Sequence, residues 1–77
     1  MMYFSGSPVL LGDRVDLGAG VTGTVVAVVE SGLYSEDYPE SEWGCLNSGV
    51  LIETTEAGLI HRPAAGYDFE LLERGQL

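Results

Sequence analysis

Thr24-Val25-Val26-Ala27-Val28-Val29 places β-branched residues side by side, and no other feature limits the folds open to this chain as strongly. Such residues lose side-chain freedom in a helix and pack well on a pleated surface, so Thr22 to Glu30 predicts a β-strand. Successive side chains of a strand point to opposite faces, and an unbroken apolar run therefore predicts cover on both. One face looks into a core, and the other meets a flap, a covering loop, the N-terminal lead-in or a second subunit. Just ahead, Gly12-Asp13-Arg14-Val15-Asp16-Leu17 alternates, with Val15 and Leu17 pointing one way and Arg14 and Asp16 the other. Gly18-Ala19-Gly20 supplies the turn between these strands, since glycine tolerates positive φ.

The remaining chain reads as three further strands. Gly49 to Thr55, centred on Val50-Leu51-Ile52, is the third, and Glu56-Ala57-Gly58 connects it to Leu59-Ile60-His61-Arg62. Pro63 ends that fourth strand because it has no N–H to give the ladder. After a turn over Ala64 to Tyr67, Asp68 to Glu73 forms the fifth, with Phe69 and Leu71 on one face. Residues 1–8 read as a loose lead-in, Val9-Leu10-Leu11 as an apolar pad, and 75–77 as a tail. The predicted fold class is all-β: a five-stranded, closed or nearly closed barrel forming a single domain over residues 1–77.

Charge narrows the function classes. Twelve acids stand against three arginines and no lysine, giving a net charge of −9. Proteins that bind nucleic acid use Lys and Arg to displace counterions from phosphates, so direct nucleic-acid binding is not expected, nor docking on an anionic membrane. A protein partner with a basic surface suits this charge; so does plain solubility through self-repulsion. The N-terminus has no basic segment followed by a long apolar run, and no stretch nears the ~20 apolar residues that span a bilayer. The expectation is a cytoplasmic protein, compatible with its unpaired Cys45. A small core without disulfide or zinc also makes homo-oligomer formation an expectation.

Gly12-Asp13-Arg14-Val15 and Thr22-Gly23-Thr24-Val25-Val26 resemble the opening strands of SH3-like barrels of the KOW and CAP-Gly kind. The resemblance covers about a third of the chain and implies a binding module on a small barrel. KOW modules that bind RNA carry basic loop residues, where this chain has Glu36, Asp37, Glu40 and Glu42. The segments Leu33 to Leu46, Gly49 to Ile52 and Gly58 to His61 also resemble small stand-alone bacterial proteins of unknown function, a resemblance that implies no activity.

The connection from Ser31 to Ser48 is long for a domain of this size, and such loops are usually functional or carry structure of their own. Pro39 to Leu46 predicts one short helical turn, with Pro39 at its first position and Trp43 and Leu46 on one face. Tyr34, Glu36, Asp37, Tyr38, Glu40, Glu42 and Trp43 form the candidate partner-binding set, in which carboxylates pair Arg or Lys while the rings add cation–π attraction. Aromatic grooves on such barrels also take proline-rich peptides. Alternatively, Trp43 and a tyrosine simply anchor the loop while its acids face water.

Other chemistry finds little support. The loop acids lack the Asp-x-Asp-x-Asp-Gly spacing of a calcium loop. His61 is the only imidazole and reads as a packed or hydrogen-bonded strand residue. Cys45 has no basic neighbour in sequence to activate it and reads as a buried, inert thiol, and no nucleophile–base–orienter set is marked. The expectation is a non-enzymatic interaction module without cofactor. Two rivals remain: an acidic mimic of nucleic acid, of the anti-CRISPR or anti-restriction type, and a homo-oligomeric structural protein.

Overall fold

The computed structural model describes residues 2–3, 6–46, 48–56, 58–62 and 69–75. Its strands are β1 (Arg14–Gly18), β2 (Val21–Val28), β3 (Leu33–Tyr34), β4 (Val50–Thr54), β5 (Leu59–Arg62) and β6 (Glu70–Glu73). They form one antiparallel sheet in the order β5-β4-β2-β1-β6, with β3 alongside the end of β2. Among the described residues there are six strands where five were expected, because Leu33 and Tyr34 pair back on Val28 and Ala27 within the stretch expected as loop. A strand of two residues is too short for a period-two pattern to reveal it.

The β1–β2 hairpin turns through Ala19 and Gly20, whose φ values are 54° and 81°, with Gly18 opposite Val21. Two left-handed residues in succession match the twist of the flanking strands. The Asp16 carboxylate accepts the Gly18 N–H at 2.8 Å and stiffens the approach to the turn.

Between β2 and β4 the register carries the architecture. Val25 pairs with Ile52, Ala27 with Leu51 and Val28 with Val50, so Val26 and Ala27 together face a single residue. This bulge moves the alternation on by one position. Val25 and Val28 therefore both reach an inner cluster with Tyr3, Val9, Val15, Val50, Ile52 and Phe69. Val26, Ala27 and Leu51 form an outer cluster on the opposite face. The cover predicted for that face comes from the chain's own connection: Tyr34, Tyr38, Trp43 and Leu46 pack over it.

The connection folds as expected into a short helix, α1 (Glu40–Trp43), continued by a 3-10 turn over Gly44–Leu46. Pro39 lies one position earlier than predicted, as the N-cap (φ −77°, ψ 158°). Its carbonyl accepts the N–H groups of Glu42 and Trp43, each at 3.1 Å. Proline's fixed φ suits both positions, and it is ψ that keeps it outside the helix.

At the termini the expected loose lead-in is replaced by an anchor. Tyr3 is only 4% exposed, Met2 bridges to Pro8, and the Tyr3 ring meets Phe69 edge-on at 5.7 Å. A short apolar start running straight into Ser, Gly and Pro offers no period to read. Phe69 and Leu71 both face the inner cluster, as expected. Pro63 as a strand end, the turn at 64–67, Asp68, and residues 76 and 77 lie outside the described residues. No helix among the described residues is long and apolar enough to cross a membrane.

Two substitutions should move stability in opposite directions. Ala19→Gly removes a left-handed strain of about 1–2 kcal/mol against a chain-entropy loss of roughly 0.4–1 kcal/mol, a net gain near ~0.5 kcal/mol. Gly23→Ala brings a Cβ to 2.6 Å from Ile52 Cγ2 and 2.9 Å from the Glu53 carbonyl oxygen, an overpacking loss of about 1–3 kcal/mol. Thermal denaturation of both variants beside the parent checks the two signs.

Candidate functional site

The outer face of the sheet is only partly roofed by the connection. Beside the roofed part lies an open cleft of about 550 Å³. Thr24 and Val26 of β2 and Glu53 of β4 line its sheet side, and Leu11 lines it from the turn that precedes β1. Tyr34, Ser35, Glu36 and Asp37 line it from the connection. Register explains the grouping: Glu53 stands opposite Thr24, two residues beyond Leu51, and so shares the outer face.

Ser35 fastens this wall to the bulge. Its N–H donates to the Val26 carbonyl at 3.2 Å, and its hydroxyl donates to the same oxygen. The Ser35–Tyr38 turn closes with the Tyr38 N–H on the Ser35 carbonyl at 3.1 Å. Glu36 and Asp37 occupy the tip of that turn, both exposed. The cleft thus combines a hydrophobic floor at Val26, the half-buried Tyr34 and three carboxylates.

The other predicted residues divide. Tyr38 and Trp43 lean on one another at 6.0 Å between ring centroids, inclined by 48°, and both pack on the outer cluster. The Tyr38 hydroxyl extends past this layer and donates to Glu53 Oε2 at 2.7 Å. That hydrogen bond, followed by desolvation and by the charges of Glu53 and Asp37, raises the Tyr38 pKa above the usual tyrosine value. Glu40 and Glu42 are exposed on α1, outside the cleft lining. The predicted set therefore falls into three groups: Tyr34, Glu36 and Asp37 at the cleft, Tyr38 and Trp43 in the layer beside it, and Glu40 and Glu42 exposed on α1.

Glu53 is the cleft residue that sequence reasoning missed, together with Leu11, Thr24, Val26 and Ser35. The signal available for Glu53 was its phase with Leu51 on β4, which becomes meaningful only once β2 is set in register beside it. Among the described residues no group of three or more His, Cys, Asp or Glu side chains is arranged to hold a metal ion. His61 is exposed, with Nε2 2.9 Å from the Ser48 carbonyl oxygen, and Cys45, expected to be buried, is exposed and free, because the turn over Gly44–Leu46 packs Leu46 on the outer cluster instead.

Asp13 is a second site missed at the sequence level. It shares the phase of Val15 and Leu17, and it is fully buried. Its Oδ2 accepts the Tyr3 hydroxyl at 2.6 Å, the Leu10 N–H at 3.0 Å and Arg74 Nη1 at 3.1 Å. Burial, and then the bond to Asp13, push the Tyr3 pKa far up. Compared with known protein families, characterised proteins and solved structures, the chain matches none.

Replacing Glu53 by Gln should bring Tyr38 back toward the ordinary tyrosine pKa of 10.0, because the negative charge that favours the protonated phenol is gone. Ring-carbon NMR titration of Tyr38 in both proteins reads this. An identical titration in the two would remove the Tyr38–Glu53 contact from the cleft.

Proposed function

We infer that this chain is a non-enzymatic protein-interaction module on an SH3-like small barrel, docking an extended basic or proline-containing segment of a partner along the cleft. Support for the barrel comes from the strand order: β6 returns to the outer edge of β1, while β2, β4 and β5 continue on the other side. The observation that carries the functional reading is the composition of the cleft. Glu36, Asp37 and Glu53 line it with no cation among the described lining residues. Two of the three arginines are engaged elsewhere, Arg14 near Glu73 at 3.8 Å and Arg74 on Asp13, and Arg62 belongs to β5.

The roles follow from position. An arginine or lysine stem lies along Val26 and Tyr34, with its head among the three carboxylates. Such exposed ion pairs contribute about 0.2–1 kcal/mol each, and a cation over the Tyr34 ring adds roughly 0.5–1 kcal/mol. Tyr38 and Trp43 hold the wall in place and meet the segment at their exposed edges. Glu40 and Glu42, outside the cleft, contribute through the long-range field that speeds encounter with a cationic partner. The resulting binding is weak, salt-sensitive and selective for charge and extended shape.

A fluorescent Arg/Pro-containing peptide tests this by anisotropy. Neutralising Glu36, Asp37 and Glu53 together should weaken binding by about tenfold or more, at about 1.4 kcal/mol per factor of ten. Raising salt to about 0.5 M should weaken the parent in the same direction. The Glu40→Gln/Glu42→Gln pair should change affinity far less. Equal affinities for the parent and the cleft triple variant would defeat the proposal.

A further inference from the structure

Both ends of the chain converge on one atom. Asp13 Oδ2 receives the Tyr3 hydroxyl from the lead-in, the Leu10 N–H from the turn before β1, and Arg74 from the segment after β6. Oδ1 of the same carboxylate is buried and has no hydrogen-bond partner among the described residues. The hold on this buried charge is therefore concentrated at one oxygen, and each donor that leaves makes the charge more costly for those that stay.

The ends also touch each other. Tyr3 packs edge-on against Phe69, the residue before β6. Arg74 Nη1 bridges onward to the Pro8 carbonyl at 3.0 Å. Gly75 lies directly on Gly12, where any side-chain carbon would overlap the Gly12 carbonyl. By contrast β6 has little hold of its own: it pairs with β1 at three positions, and only Leu71 of its four residues is even half-buried. The outer cluster of Val26, Ala27 and Leu51, with its aromatic cover, draws on neither end.

We propose that Asp13 is a shared catch for the two ends, and that the lead-in and β6 release as one cooperative unit while β2, β4 and β5 remain paired. Local opening in units of this kind occurs at lower free energy than global unfolding. The catch is conformational and does not depend on any reading of the cleft. Leu11, which lines the cleft, sits between two contacts of this region, the Leu10 N–H on Asp13 and the Gly12 N–H on the Val25 carbonyl at 2.8 Å. Release of the ends accordingly frees one wall of the cleft.

Native-state amide hydrogen exchange on the full chain decides it. In the parent protein, the amides of Tyr3, Leu10 and β6 should share one opening free energy, below that of the β4 amides. Tyr3→Phe keeps the ring and deletes one donor. It should speed exchange in β6, a segment that the hydroxyl does not touch, by about tenfold, and leave β4 unchanged. Arg74→Gln should speed the same set, including the lead-in. Faster exchange confined to the lead-in in Tyr3→Phe would overturn the proposal. Acceleration of β6 and β4 in step would overturn it equally, and the parent measurement stands even where a variant fails to fold.

Discussion

One rung of the β2–β4 ladder holds two residues on one side and one on the other, and both hydrophobic layers follow from it. Without the bulge, strict alternation would send Val25 and Val28 to opposite faces. With it, both valines reach the inner cluster, and Val26 and Ala27 both belong to the outer one. The second layer in turn requires a roof, since exposed valine, alanine and leucine on an open sheet invite association. Tyr34 of β3 and three large side chains of the connection from β3 to β4 meet that need. The length of that connection, unusual in so small a domain, thus has a packing reason that is independent of any partner.

Electrostatics divides the molecule in the same way. On the outer side, acids are exposed and face water, where their mutual repulsion is screened within about 10 Å. On the inner side one carboxylate among the described residues, Asp13, is buried completely, and it persists because three donors from separate segments reach it. A buried ion pair of this kind is weak as a source of net stability, while losing one partner is expensive. The Asp13–Arg74 contact is better understood as fixing where the chain's ends lie than as a large stabilising term.

Strands and their phases were legible because side-chain alternation is a local property. Val15 with Leu17, and Phe69 with Leu71, face the inner cluster as their spacing requires. The helical turn near Glu40 was legible from Pro39 and the Trp43–Leu46 spacing. Three things were not. The bulge leaves no mark in a run of apolar residues, because every position in it looks equally fit for burial. β3 is shorter than one period of the pattern that would announce it. Asp13 and Glu53 owe their surroundings to pairings across the sheet, which no window along the chain contains. For the candidate site this meant that the connection's share, Tyr34, Glu36 and Asp37, could be picked out, while the sheet's share could not.

The roof over the outer cluster separates two kinds of position within one short segment. Tyr34, Tyr38, Trp43 and Leu46 are tied to the sheet beneath them, so replacing any of them disturbs the scaffold. Glu36, Asp37, Glu40, Ser41 and Glu42 are exposed between those anchors. Evolutionary drift at these five places can rewrite the charge displayed beside the cleft while the framework stays constant, leaving surface charge and foldability under separate selection along a single stretch of backbone.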